Sequence, residues 1–120
     1  MTDKAVFGQF ISEKRIQRSM TIKELAIRVN ISAPYLCQLE NGDRLKPSFE
    51  ILERLINQLN LDNDERYAVY DLYASVNDTI SPDIEKYIKE NAIITKLLRI
   101  AIQNKVNEAE WQDIIDQLTK

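Results

Sequence analysis

Two short helical patterns, separated by only three residues, constrain the fold of this chain more than any other feature of its sequence. In the first pattern, Thr21 stands where a helix N-cap is expected and Glu24 follows three residues later, which predicts a capping box. Asn30 comes next and tolerates the left-handed backbone of a sharp turn. The buried face of this helix is expected at four apolar positions: Ile22, Leu25, Ala26 and Val29.

The second pattern begins directly after the turn. Ser32 is a good N-cap, and Pro34 lies in the first turn, where the missing backbone amide would have had no helical partner. Leu36 and Leu39 supply an inward face, and Gly42 ends the helix. The two patterns therefore predict two short helices that cross at a fixed angle over a small shared core.

The remaining sequence predicts further helices and no strand. Ser48 and Asn107 are expected N-caps, and Asn63 or Asp64 is expected to open another helix. The six further helices are predicted at residues 7–18, 48–59, 63–75, 82–91, 92–105 and 107–118. Polar residues and a proline cluster at the clearest break, 77–82. We therefore predict an all-α chain with a five-helix domain at 1–76 and a short C-terminal helical segment at 77–120.

The composition excludes most catalytic chemistry. The 120 residues include no histidine, which removes Ser-His and Cys-His nucleophilic pairs and most zinc sites. The single cysteine, Cys37, has no partner for an internal disulfide, which favours the cytosol. No stretch approaches the roughly 18 apolar residues of a membrane span, and the N-terminus lacks a signal-peptide pattern. We therefore expect a cytoplasmic protein with no catalytic residues, metal, cofactor or membrane association.

The net charge of −3 is divided unevenly along the chain. Residues 1–60 hold nine Lys or Arg against seven Asp or Glu, a sum of +2, whereas residues 61–120 hold seven against twelve, a sum of −5. A basic excess in the first half favours a surface that faces phosphate, and the acidic second half suggests a different task.

Between Thr21 and Gly42 the chain reads TIKELAIRVNISAPYLCQLENG. The informative features are Leu25-Ala26, Ile31, Ser32, Tyr35-Leu36 and Leu39-Glu40-Asn41-Gly42, with Lys14-Arg15-Ile16 before them and Pro47-Ser48 after them. With these features, roughly residues 6–60 resemble the Cro and phage-repressor (Xre) family of helix-turn-helix regulators. The resemblance implies a lambda-repressor-like domain of five helices that binds double-stranded DNA.

The resemblance also implies roles for individual residues. Arg15 and Glu40 are expected to form a structural ion pair. In the family the third helix docks in the major groove, which assigns base-facing roles to Ala33, Pro34, Cys37 and Gln38. Gln38 is the best of these, because its amide can donate and accept toward adenine. The residues expected to contact phosphates are Thr21, Ser32, Tyr35, Arg44 and Lys46.

Three positions depart from the family pattern. Ile22 replaces a glutamine that often contacts phosphate, Asn30 replaces the usual glycine of the turn, and Asp43 stands where a basic residue is common. The reading positions are also mostly small or apolar, so few direct hydrogen bonds to bases are expected. We therefore expect binding to depend on dimerisation and on DNA shape.

Several of these residues also have a simpler interpretation. Gln38 can be an exposed polar residue on a helix surface, and Arg44 and Lys46 can be solvated loop charges. Cys37 is interpreted as a tolerated small residue rather than a redox sensor. Three tyrosines at three-residue spacing favour core or interface packing over stacking on bases: Tyr67, Tyr70 and Tyr73.

The C-terminal segment carries no recognisable ligand site. Its three helices either fold back onto the first domain or form a two-fold interface, and the family's use of dimers on two-fold operators favours the interface. The residues expected in that interface are Leu97, Leu98, Ile102, Trp111, Ile115 and Leu118.

The sequence therefore predicts a DNA-binding transcriptional regulator, a repressor of bacterial, phage or mobile-element origin that binds a palindromic operator as a homodimer. The alternative is a protein-interaction module on the same fold, such as an antitoxin or a phage-encoded inhibitor with a protein partner. The acidic second half and Asp43 favour this alternative somewhat. An enzyme is a distant third interpretation.

Overall fold

Helices form all of the regular secondary structure between residues 3 and 120, the range that the computed structural model describes, with side chains described from residue 6. No strand occurs within that range, and the predicted all-α fold is confirmed. The eight helices are α1 (Asp3–Gln17), α2 (Ile22–Val29), α3 (Ala33–Asn41), α4 (Phe49–Gln58), α5 (Asn63–Asn77), α6 (Pro82–Glu90), α7 (Ala92–Gln103) and α8 (Glu108–Leu118). None of them is long and apolar enough to cross a membrane.

Polar N-caps set the starts of most helices, as the sequence predicts. Each predicted cap accepts a hydrogen bond from the backbone amide three residues later: Thr21 at 3.1 Å, Ser32 at 3.2 Å, Ser48 at 3.2 Å and Asn107 at 2.9 Å. Of the capping box predicted for Thr21, the structure shows this one bond. Complete capping boxes instead open α5, through Asp62 and Glu65, and α8, through Asn107 and Glu110.

The predicted start of α1 was wrong. The helix begins at Asp3, four residues before the predicted position at Phe7. Residues 3–6 contain no glycine or proline that would stop a helix, so the sequence offers no reason for the helix to begin only at Phe7.

Six of the eight described helices, α1 to α5 and α7, end in the same way. Six residues adopt a positive φ in the left-handed region: Ser19, Asn30, Gly42, Asn60, Asp78 and Lys105. In every case the residue that follows donates its N–H to the carbonyl five positions back, at 2.9–3.2 Å. This is the long hydrogen bond of the Schellman motif, which satisfies a free carbonyl while it reverses the chain. The left-handed Asn30 and Gly42 confirm the predicted ends of α2 and α3.

Helices α1 to α5 share one hydrophobic core. Its fully buried side chains include Phe7, Ile11, Leu25, Val29, Leu36, Leu39, Leu52, Leu55, Leu59 and Val69. Two aromatic pairs add to the core: the rings of Tyr70 and Phe49 are stacked, and those of Tyr73 and Phe7 are nearly perpendicular. Two of the three spaced tyrosines therefore pack in the core, as predicted, whereas Tyr67 lies at the surface.

A glycine in α1 allows this helix to cross α3 closely. A methyl group placed on Gly8 would lie 2.3 Å from the carbonyl oxygen of Leu39 and 2.4 Å from that of Glu40. Any side chain there collides with the α3 backbone, so only glycine lets the two axes approach this far. The sequence analysis did not single out Gly8, although a glycine inside a helical pattern is a known sign of close packing.

Residue contacts divide the chain into two compact units, Met1–Ile84 and Glu85–Lys120. The sequence placed this division at 76/77, one residue before the end of α5, and that boundary stays a prediction. In the second unit Ala101 is the one buried apolar side chain that the structure describes. The large exposed apolar residues of α7 and α8 are Ile93, Leu97, Leu98, Ile100, Ile102, Ile114, Ile115 and Leu118.

Candidate nucleic-acid interface

The α2–α3 pair is held rigidly at its turn and along its shared core. Asn30 adopts φ 62° and ψ 47°, and its N–H bonds back to the end of α2. Ile31 then donates its N–H to the Ala26 carbonyl at 3.0 Å, which closes the turn. On the inward side Leu25 and Leu36 are both fully buried. The outward side of α3 is therefore presented on a fixed support.

Arg15 and Glu40 form a bidentate ion pair between α1 and the end of α3. The Nε and Nη2 atoms of Arg15 donate to the two carboxylate oxygens of Glu40 at 2.8 and 2.9 Å. The third arm, Nη1, donates to the Met20 carbonyl at 2.9 Å. Only 12% of the Arg15 side chain and 8% of the Glu40 side chain are exposed, so the pair is largely shielded from water. The bond to Glu40 raises the pKa of Arg15 above its ordinary value, and the guanidinium stays charged.

Helix α3 carries the four residues that the sequence assigns to base contacts. Pro34 and Cys37 are exposed, and Ala33 and Gln38 are half-buried. Pro34, Cys37 and Gln38 lie away from the buried Leu36, whereas Ala33, three residues before Leu36, packs partly against the core. The structure therefore brings Pro34, Cys37 and Gln38 together at one surface, with Ala33 turned toward the core.

Gln38 is tied to the loop that follows α3, residues 43–48. Its side-chain oxygen Oε1 accepts a hydrogen bond from Arg44 Nε at 3.4 Å. Its backbone carbonyl accepts the N–H groups of Asp43 and Arg44 at 2.9 and 3.1 Å. Because a guanidinium only donates, Gln38 turns its amide oxygen toward Arg44, and its NH₂ group is the part of the amide that faces other partners.

The five residues assigned to phosphate contacts lie at helix starts and in this loop. Thr21 and Ser32 cap α2 and α3, and each hydroxyl oxygen accepts a backbone N–H while its own proton remains a donor. Tyr35 is half-buried in the first turns of α3, whereas Arg44 and Lys46 are exposed in the loop. These groups are hydrogen-bond donors, as phosphate recognition requires.

Asn77, at the end of α5, holds the loop from the other side. Its Nδ2 group donates to the Leu45 carbonyl at 2.7 Å and to the Tyr73 carbonyl at 3.0 Å. The open groove between the loop and α5 has a volume of about 550 Å³. Sequence reasoning read Asn77 only as the start of a break, because nothing in the sequence places it beside Leu45.

Lys14 in the last turn of α1 and Arg18, directly after the helix, both pair with a carboxylate of α5. Lys14 Nζ lies 2.6 Å and Arg18 Nη2 lies 3.5 Å from the Glu65 carboxylate. The hydrogen bond from Lys14, with a second from the Asp62 backbone N–H, lowers the pKa of Glu65 below its ordinary value. These two cations therefore brace α1 against α5, which leaves the loop cations as the better candidates for phosphate.

The chain belongs to the helix-turn-helix domain family, whose model matches residues 8–72. Two relatives, both named uncharacterized HTH-type transcriptional regulators of Mycobacterium tuberculosis, are 35% identical to it over 60 residues. That alignment covers 50% of this chain and 42% of each relative, so the chain spans less than half the length of these relatives.

A solved structure shares the fold. The crystal structure of the clp gene regulator ClgR from Corynebacterium glutamicum superposes with a TM-score of 0.51 at 20% sequence identity, covering 87% of this chain and 95% of that chain. Together with the family match, this confirms the helix-turn-helix fold that the sequence resemblance implied.

Proposed function

We propose that this chain is a sequence-specific DNA-binding transcriptional regulator that places α3 in the major groove. The outward face of α3 is the observation that carries the proposal, because it is exposed at Pro34 and Cys37 and rigidly supported from behind by Arg15 and Glu40. A single helix fits the major groove, which is about 12 Å wide. The family match and the names of the two relatives support the same function.

Within this proposal, Gln38 supplies the main hydrogen bonds to a base, and Ala33, Pro34 and Cys37 supply apolar contact. Thr21, Ser32 and Tyr35 bind phosphates at the starts of α2 and α3, where the helix dipoles favour negative charge. Arg44 and Lys46 bind phosphates from the loop. Asp43, exposed beside them, opposes this attraction and keeps the affinity of a single subunit modest.

The second unit is proposed to join two copies of the chain through Leu97, Leu98, Ile102, Trp111, Ile115 and Leu118. A unit of 36 residues with one buried apolar side chain has too small a core to be stable without further burial. Charge favours a second copy as the partner. Helix α7 has two basic residues and no acidic residue, a sum of +2, whereas α8 has four acidic residues and no basic one, a sum of −4. In a two-fold dimer, α7 of one copy can therefore face α8 of the other.

A dimer of this kind would place two α3 helices on one side of the duplex, about 34 Å apart or at a small multiple of that distance. Such a dimer binds a palindromic operator and represses by excluding polymerase. Because the operator lies in the chromosome or a mobile element, the protein acts in the cytoplasm. Repression by occupancy of the operator needs no catalytic residue or cofactor.

DNA binding is tested first with a fluorescent duplex of mixed sequence titrated at several salt concentrations. Replacing both loop cations, Arg44→Ala with Lys46→Ala, should weaken binding and flatten the plot of log K against log salt by about 1.8 in slope, close to 0.9 for each lost phosphate contact. The matched control removes two exposed positive charges from the second unit, Lys105→Ala with Lys120→Ala, and should leave the slope near that of the wild type. Equal slopes for both double variants would contradict the assignment of the loop.

A second candidate function is a protein-interaction module, such as an antitoxin or a phage-encoded inhibitor. The exposed Asp43 beside the loop cations and the four acidic residues of α8 favour it. This function predicts a stable complex with a second protein on purification from the native host, and an activity that survives Arg44→Ala. The two functions coexist in a protein that neutralises a partner and represses its own promoter.

A further inference from the structure

We propose that Asn77 is a positioning residue for DNA binding, which holds the α3–α4 loop so that Arg44 and Lys46 face the phosphates. The inference rests on the proposed function and adds a residue to it that lies outside the helix-turn-helix match at residues 8–72. Asn77 touches no DNA itself in this account.

The position of the hydrogen bond to the loop is the first observation. Asn77 Nδ2 donates to the carbonyl of Leu45 at 2.7 Å, and Leu45 stands between the two loop cations in the chain. On the α3 side, the carbonyl of Gln38 already fixes the backbone N–H of Arg44 at 3.1 Å. On the α4 side, Pro47 is buried and Ser48 caps the helix. The bond from Asn77 therefore anchors the middle of a segment whose two ends are already fixed.

Two other asparagines, Asn91 and Asn104, make the same local hydrogen bond as Asn77, and the bond from Asn77 to Leu45 is additional to it. Asn77, Asn91 and Asn104 each donate Nδ2 to the carbonyl four residues back, at 3.0, 2.8 and 2.8 Å. These three bonds add a side-chain donor to carbonyls in the last turns of α5, α6 and α7, one of which, at Ile100, also accepts the backbone N–H of Asn104. Asn77 alone among the three also donates to a carbonyl 32 residues away in the chain.

Loss of the hydrogen bond from Asn77 to Leu45 should weaken the phosphate contacts of Arg44 and Lys46. Without Asn77 the Leu45 carbonyl loses its donor, and the backbone on both sides of it gains conformational freedom that DNA binding must remove again. The long side chains of Arg44 and Lys46 start from that backbone, so their heads spread over a wider volume. Contacts to phosphate then form less often, whereas the base-facing side of α3 stays in place.

The test compares Asn77→Ala with Asn104→Ala in the full chain, by titration of the fluorescent mixed-sequence duplex. Both variants lose the local hydrogen bond at a helix end, but only Asn77→Ala also loses the hydrogen bond to the Leu45 carbonyl in the loop. Asn77→Ala should weaken binding about fivefold to tenfold, the range expected for one lost hydrogen bond, and Asn104→Ala should bind within about twofold of the wild type. Asn77→Ser, whose short hydroxyl stays beside α5, should give the same loss if the alanine variant folds poorly.

The same titration in the Arg44→Ala, Lys46→Ala background separates positioning from general destabilisation. If Asn77 acts through the two cations, Asn77→Ala should change binding by less than about twofold once both are absent. An equal loss in both backgrounds, or wild-type binding by both Asn77 variants, would overturn the inference and leave the proposed function intact. Wild-type binding by the Arg44→Ala, Lys46→Ala protein would overturn the loop assignment and the inference together.

Discussion

Helices α5 and α8 start in the same way and end in different surroundings. Each opens with a complete capping box, from Asp62 to Glu65 in α5 and from Asn107 to Glu110 in α8. However, α5 buries Val69 and Tyr70, whereas α8 has no buried residue among those described. Local sequence therefore decides where a helix forms, and it does not decide whether the helix finds a partner within its own chain.

The same contrast holds for the two units as wholes. Leu25, Leu36 and Leu39 in the first unit are 0% exposed, whereas Ile102 and Leu118 in the second are 75% and 80% exposed. We infer that the first unit is stable on its own and that the second depends on a second copy. The predictions below test that difference, beginning with the largest expected effect.

Glu40→Ala should cause the largest loss of stability. It leaves Arg15 charged and largely buried without a carboxylate, and breaking a buried pair in this way costs about 3–5 kcal/mol. Urea unfolding followed by circular dichroism measures the change. The control is Glu50→Ala, which removes the exposed partner of Arg54 and should change the free energy of unfolding by less than about 1 kcal/mol. Similar losses for both variants would mean that the Arg15–Glu40 pair does not hold the first unit together.

A leucine-to-alanine substitution should lower the stability of the first unit but weaken the association of the second. Leu36→Ala removes a fully buried side chain and should lower the free energy of unfolding by about 2–5 kcal/mol. Leu97→Ala, at a half-exposed position in α7, should leave the unfolding of the first unit within about 0.5 kcal/mol of the wild type.

Leu97→Ala should instead raise the dissociation constant of the dimer by about tenfold, which corresponds to one truncated interface side chain. Sedimentation equilibrium over a range of protein concentrations measures this constant. A monomeric wild type, or unchanged association of Leu97→Ala together with unchanged association of Ile115→Ala, would contradict the assignment of the second unit to dimerisation.

Gly8→Ala sets two opposing effects against each other. Helix propensity alone predicts a gain of about 1 kcal/mol. Because the added methyl group would lie 2.3 Å from a backbone oxygen of α3, we expect a net loss of about 1–3 kcal/mol instead. Thermal unfolding gives the sign directly, with Gln9→Ala, at an exposed position of the same helix, as the control. A gain in stability would show that α1 and α3 are not in close contact.

The smallest expected effect concerns the pH dependence of stability. Lys14 and the Asp62 backbone N–H lower the pKa of Glu65 in the folded protein. A lowered pKa contributes stability that is present above the unfolded value, about 4.5, and is lost as the pH falls through the folded value. The wild type should therefore lose more stability than Glu65→Gln between pH 7 and pH 3. The exposed Glu13→Gln serves as the control, and parallel curves for the wild type and Glu65→Gln would refute the role of Glu65.

The sequence predicted the features that depend on neighbouring residues. Thr21, Ser32, Ser48 and Asn107 act as the caps that were expected, because capping is complete within three residues. The Arg15–Glu40 contact came from the family resemblance and not from any local pattern. The structure places the two side chains as that resemblance implies.

Features that join distant parts of the chain escaped sequence reasoning. Gly8 matters because of the α3 backbone, Glu65 because of Lys14, and Asn77 because of Leu45, 32 residues earlier. Each residue is unremarkable within its own helix, and its role follows only from how the helices cross. The assignment of individual residues to bases and phosphates rests on the same resemblance and remains a prediction.

Selection from randomised DNA duplexes at physiological salt, carried out with the wild type and with Gln38→Ala, tests the central claim that paired α3 helices read DNA. The account predicts an inverted repeat whose half-site centres lie about 10–10.5 base pairs, or a small multiple, apart. It also predicts that Gln38→Ala loses preference at one base position in each half-site, at a cost of about 1–3 kcal/mol. An unenriched pool, or an identical repeat selected by both proteins, would contradict the claim and turn the search toward a protein partner.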